Sequence, residues 1–178
     1  MKKGVNKKII VVGGTCAIEE LEHFIQKIQR FAEEYQIIIQ SFNAEMIYGK
    51  SHLLSAAEHA LRSEKEQRMT TNSIEMELFL YASGERQIKL AIPKLGVKKG
   101  HNTIALVIIP RRSDTELNSE TLDDLFSKLK IKRDDEVLKG NNNTLELFGF
   151  TKEELSTVPE NKYDKLILER IALIDIIK

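Results

Sequence analysis

The sequence predicts an α+β fold, a small mixed β-sheet packed with several α-helices, in a single domain spanning residues 1–178. Three observations lead there. Three short runs rich in β-branched residues, Lys8–Val12, Gln36–Phe42 and Thr103–Ile109, read as strands, whereas longer segments between and after them repeat apolar residues at helical spacing. The two kinds of element do not follow the regular βαβ order of a parallel sheet. With 178 residues, 42% of them apolar, the chain is long enough to bury one substantial core.

Lys8–Val12 is a buried strand stopped by Gly13-Gly14, after which Ile18, Leu21, Ile25, Ile28 and Ala32 recur on one helix face. Gln36–Phe42 is the second strand, which "AEMI" (Ala44–Ile47) can extend before Gly49 breaks it. Ser51 suits the N-cap of a helix through Arg62 with Leu53, Leu54, Ala57 and Leu61 on its apolar side, and the polar "RSEKEQRMTT" is a loop. Asn72 and Glu75 have capping-box spacing and open a helix apolar nearly all round from Met76 to Ala82, the mark of burial. After Gly84 a further helix carries Ile88, Ala91, Ile92 and Leu95; Pro93 removes a backbone donor near its end, and Gly96 suits a left-handed C-cap.

Thr103–Ile109 is unbroken and β-branched, as expected of a central strand. Leu122, Leu125, Phe126 and Leu129 then make an amphipathic helix, and the Asn-rich Lys139–Thr144 is the expected flexible tip. Thr151 with Glu154, and Thr157 with Glu160, have capping-box spacing, the second opening a last helix over 157–178.

Lys plus Arg and Asp plus Glu both number 27, so the whole chain offers no bulk attraction to a polyanion and any nucleic-acid site is local. Cys16 is the only cysteine, which excludes an internal disulfide and a Cys-rich zinc site and fits a reducing compartment. The longest apolar run, Thr103–Pro110, falls far short of the ~20 residues that span a bilayer, and "MKKGVNKK" lacks an apolar signal core. A soluble, cytoplasmic protein is expected.

Several segments invite a chemical reading. "VVGGTCAIEE" places two glycines between a strand and a helix and could cradle a phosphate, so a small-ligand or nucleotide-binding protein is the alternative function. The segment lacks both G-x-G-x-x-G and G-x-x-x-x-G-K-[ST] spacing, and a tight strand-to-helix turn explains it as well. Cys16 near a helix start could be an activated thiolate, but His23, His52, His59 and His101 give it no recognisable base. His52 and His59 lie two turns apart on one helix face, not at the i, i+4 spacing of a zinc pair. No catalytic set, metal framework or cofactor motif emerges, so the protein is not expected to be an enzyme.

Charge placement says more than net charge. Between Arg86 and Arg112 there is no acidic residue, whereas Arg86, Lys89, Lys94, Lys98, Lys99, Arg111 and Arg112 are basic. The break at Gly84 puts Arg86 and Gln87 at the mouth of a helix, where free N–H groups and a planar guanidinium suit a phosphate. The same residues also allow Arg86 to pair with Glu85 or a neighbouring helix and Gln87 merely to cap. The last helix carries two apolar stripes, Tyr163, Leu166, Ile167, Ile174 and Ile177 on one, and Leu168, Ile171, Ala172 and Ile176 on the other. One stripe suffices to bury a surface helix. A second implies a sandwiched helix or, as expected at the periphery, a face offered to another protein.

The segments "NAEMIYGKSHLLSAAEHAL", "MELFLYASGERQIKLAIPKLGV", "TIALVII" and "LILERIALIDI", in this order, resemble the small kinase-binding regulatory subunit of the KEOPS complex, the TPRKB-type family. The likeness runs from Gln36 onward and is weaker over the first strand and helix. It implies an α+β protein without activity of its own that docks on and stimulates the small atypical kinase of KEOPS. It further implies recruitment of tRNA through the single-stranded 3′ CCA end, in support of threonylcarbamoyladenosine synthesis at tRNA position 37. Carried onto this chain, RNA contacts are expected at Ser83, Gly84, Arg86 and Gln87 with Lys50 and His52 as neighbours, and kinase docking at Leu168, Ile171, Ala172 and Ile176. Pro93 departs from the family pattern and leaves the length of its helix open.

Overall fold

The computed structural model describes residues 8–177; the lysine-bearing segment 1–7 and Lys178, the expected end of the last helix, lie outside the described residues. Four strands, β1 (Ile10–Ile18), β2 (Ile37–Asn43), β3 (Gly100–Pro110) and β4 (Lys132–Arg133), form a sheet in the order β2-β3-β1-β4. Every neighbouring pair is antiparallel, so the α+β class holds while the sheet expected as mixed is antiparallel throughout. β3 pairs with β1 and β2 along its edges and is covered by helices on both faces, which explains the unbroken apolar run from Ile104 to Ile109.

Alternate residues of β3 feed two cores. Ile104, Leu106 and Ile108 pack with Phe24, Ile28 and Phe31 of α1 (Leu21–Glu34) and Leu125, Phe126 and Leu129 of α5 (Ser119–Leu129). Ala105, Val107 and Ile109 face the larger helical layer: α2 (Lys50–Lys65), α3 (Ile74–Ser83), α4 (Ile88–Leu95), α6 (Asn142–Phe148), α7 (Lys152–Ser156) and α8 (Tyr163–Ile177). In α3, Leu78 through Ser83 are all buried, in keeping with a helix apolar on every side.

The Gly13-Gly14 stop is overturned. Both glycines lie inside β1, which runs on to Ile18. A Cβ on Gly14 would sit 2.5 Å from Ile131 Cγ2 and 2.6 Å from the Lys132 carbonyl oxygen, so the glycines let the β4 segment close on β1. Asp135 Oδ1 accepts the Gly13 N–H at 2.9 Å, and a carboxylate there repels a phosphate. The nucleotide-loop alternative therefore has no loop to use.

Local capping accounts for the other shifts. Residues Ala44–Met46 form a 3₁₀ turn rather than strand. Gly49, not Ser51, precedes α2, and Ser73, not Asn72, caps α3 by accepting the Met76 N–H at 3.2 Å. Gly96 is extended, with φ −68°. The second half of the Asn-rich stretch, from Asn142, is helical, because Asn141 and Thr144 form a reciprocal capping box that starts α6. Thr151 and Glu154 do the same for α7 as expected, but Thr157 ends that helix, and α8 begins at Tyr163 after a 3₁₀ turn at Glu160–Lys162. No helix among the described residues is long and apolar enough to cross a membrane.

A candidate nucleic-acid turn beside the terminal helix

α3 ends because Gly84 adopts the left-handed conformation, φ +66° and ψ 21°, which a residue with a side chain enters at a cost. The N–H of Gly84 caps the carbonyls of Leu80 and Tyr81. Ser83 Oγ donates to the Leu80 carbonyl at 2.9 Å and accepts the Glu85 N–H at 3.2 Å. Ser83 is fully buried, so it shapes the turn from inside, and its side chain is not free for an RNA contact.

His52 is corrected for the same reason. It is 1% exposed, accepts the Tyr48 N–H on Nδ1 at 3.1 Å, and directs Nε2 to the Ala82 carbonyl at 2.8 Å. These partners assign the proton to Nε2. Burial lowers its pKa to about 4 against the opposing pull of the Ala82 hydrogen bond, so the imidazole is neutral at pH 7. Lys50 is exposed but engaged, with Nζ 2.8 Å from Asp135 Oδ2 beside β1.

Arg86 and Gln87 stand out by contrast. Both are exposed, and among the described residues Arg86 has neither an ion-pair nor a hydrogen-bond partner. The expected alternative, pairing with Glu85, does not occur because Glu85 Oε1 is taken by Lys94 Nζ at 3.2 Å. Lys94 also donates to the Ser83 carbonyl at 2.9 Å and rests 4.2 Å above the Phe148 ring centroid. Arg111 and Arg112 are neutralised by Glu75 and Asp114. Of the seven basic residues in the acid-free segment, Arg86, Lys89, Lys98 and Lys99 are left without an acidic partner among the described residues. Gln87 makes no side-chain cap at the start of α4, which leaves first-turn N–H groups of that helix open to an anion.

An open groove of about 400 Å³ runs past this turn, lined by Thr70, Gly84, Glu85, Arg86, Gln87, Leu90 and Ile177, the one acidic residue among them, Glu85, being paired with Lys94. It brings together three of the six expected RNA contacts, Gly84, Arg86 and Gln87; His52 and Ser83 are beneath the surface, and Lys50 is not in the lining. Ile177 belongs to α8, so the groove ends against the helix expected to dock the kinase.

On α8 the buried stripe is Tyr163, Ile167, Ile171 and Ile174. Ile171 is fully buried and therefore leaves the docking set. Leu168 is half-buried, Ala172 is exposed, and Ile176 is 78% exposed. Leu173, 44% exposed beside them, was missed because two overlapping stripes at helical spacing do not reveal which one the core claims.

Asp175 fastens α8 to the layer below. It accepts the Tyr81 hydroxyl proton of α3, lies 2.6 Å from His59 Nδ1 and 3.1 Å from Arg62 Nη2 of α2. Partial burial alone would raise its pKa, but hydrogen bonds from Tyr81 and His59 and the Arg62 charge hold it below the usual carboxylate value. His52 and His59 therefore serve separate partners. No group of three His, Cys, Asp or Glu residues able to hold a metal occurs among the described residues.

The family described as "Kinase binding protein CGI-121" matches residues 16–175. The regulatory protein Cgi121 of Methanocaldococcus jannaschii is 30% identical over 141 residues, covering 78% of this chain and 84% of that protein.

Proposed function

Because the chain belongs to the CGI-121 family of kinase-binding proteins, we propose that it is the non-catalytic regulatory subunit that docks on the small atypical kinase of the KEOPS complex, stimulates it, and recruits tRNA. On this reading residues 1–178 act as one cytoplasmic regulatory domain. The exposed flank of α8, Leu168, Ala172 and Ile176 together with Leu173, meets the kinase. The Gly84 turn takes the single-stranded 3′ CCA end, which serves threonylcarbamoyladenosine synthesis at tRNA position 37.

The observation that carries the RNA half is the exposed Arg86 guanidinium without a partner among the described residues, at an uncapped helix start and in a groove walled by Leu90. A phosphate can meet the guanidinium and free N–H groups while an unpaired base lies against the apolar wall. Phosphate contacts make binding fall with salt.

A titration of the protein with intact tRNA and with the same tRNA lacking CCA, repeated with Arg86→Glu, tests it. Affinity that requires both the CCA end and Arg86 is expected. Equal affinity for the two RNAs would replace the end-specific turn with a diffuse basic surface.

A further inference from the structure

We propose that Arg170 of α8, whose stem lies against Gly84, is a second phosphate contact of the same RNA site. The inference rests on the RNA reading of the Gly84 turn. Arg170 is half-buried, yet among the described residues it has no ion-pair or hydrogen-bond partner. A guanidinium withdrawn from water normally recovers the loss through a carboxylate. Here it stands over an aromatic ring instead, with the guanidinium carbon 4.5 Å from the Phe150 ring centroid.

Two left-handed glycines border this side chain. A Cβ on Gly84 would lie 3.1 Å from Arg170 Cγ and 3.9 Å from Cδ, and one on Gly149, with φ +96°, would lie 4.0 Å from Nη1. The stem thus passes against the turn that carries Arg86, and the charged end continues towards the start of Phe150. The nearby backbone donors are already used. Gly84 N–H bonds to Tyr81, Gly149 N–H to Glu146, and Phe150 N–H to Leu145. An anion arriving there is held by the guanidinium edge, whose paired N–H groups match two phosphate oxygens.

The other cation at this place is satisfied: Lys94, over Phe148, is bonded to Glu85 and Ser83. Arg170 and Arg86 are the two guanidinium groups left over. Gly84 and Arg86 are two residues apart, so their Cα atoms are at most about 7.6 Å distant, and the stem of Arg170 lies against Gly84. On this proposal one strand crossing the turn meets both arginines.

The test is the salt dependence of binding of a short single-stranded RNA ending in CCA to the full chain. It compares wild type, Arg86→Gln, Arg170→Gln, the double variant and Arg170→Lys. Each lost phosphate contact lowers the slope of log K against log salt by about 0.7 on a single strand. The expected result is a fall of about 0.7 for each single variant and about 1.4 for the double, with Arg170→Lys keeping the wild-type slope. An unchanged slope in Arg170→Gln would overturn the proposal while leaving the RNA reading of Arg86 in place. A double variant no worse than Arg86→Gln would also overturn it, because Arg170 would then only position Arg86. Wild-type protein without salt-dependent binding would remove both readings. Displacement of the RNA by an equal concentration of poly-glutamate would mean a carboxylate site and overturn the proposal too.

Discussion

His52 Nε2 lies 2.8 Å from the carbonyl oxygen of Ala82, so a buried imidazole joins the start of α2 to the residue two before the Gly84 break. This contact has a pH signature. The folded pKa is about 4, whereas an unfolded histidine titrates near 6.5. The unfolded state therefore takes up the proton first on acidification. Stability from neutral His52 is complete above pH ~6.5 and is lost as the pH falls towards ~4, a total of about 3 kcal/mol. Urea unfolding at pH 7, 5.5 and 4 should show the loss, and His52→Leu should remove that window. Asp175, with its depressed pKa, adds a further loss below pH ~4 in the same direction.

Gly84→Ala forces a side chain into the left-handed region and places its Cβ 3.1 Å from Arg170 Cγ and 3.3 Å from Phe148 Cε1. A destabilisation of about 1–3 kcal/mol is expected, read as a lower urea midpoint with unchanged m. A midpoint equal to wild type would mean that the turn has room and no conformational demand.

The two flanks of α8 should separate cleanly. Ile176→Glu is expected to weaken binding of the kinase subunit at least tenfold, about 1.4 kcal/mol, with the thermal midpoint held. Ile171→Ala should instead cost about 2–5 kcal/mol of stability, since its side chain is fully buried. Calorimetric titration and thermal melts of both variants distinguish an interface residue from a core residue. Kinase affinity untouched by Ile176→Glu would move the interface off this flank.

Gly14→Ala sets a methyl 2.5 Å from Ile131 Cγ2 and 2.6 Å from the Lys132 carbonyl. Overpacking of this kind costs about 1–3 kcal/mol. The variant should unfold earlier in urea. Unchanged stability would show that β4 can retreat from β1 without loss.

The sequence carried the central strand and the core helix plainly, because burial on both sides of β3 and all round α3 removes the need for polar positions. It was less informative where one residue type serves two ends. Gly13-Gly14 reads as a stop, but here glycine allows the close approach of residues more than a hundred positions later. The Asn run reads as a flexible tip until Asn141 and Thr144 are seen to cap one another. Arg86 was legible because no acid stands near it in sequence on its C-terminal side, whereas Arg170, Phe148 and Lys94 reach the Gly84 turn only through the packing of α4, α6 and α8. His52 and Ser83 were misread for a simple reason: a polar residue inside the core looks in sequence like a polar residue on the surface.

The Asp175 junction has a consequence for the speed and cost of assembly. Helix ends ordinarily fray, and a partner that grips one must first arrest its motion. Here Asp175 anchors the last turn of α8 to Tyr81, His59 and Arg62 on two other helices. The exposed flank is thus presented as a rigid template. A partner that reads it gives up little ordering entropy, so the complex can form by rigid-body encounter rather than by folding upon contact.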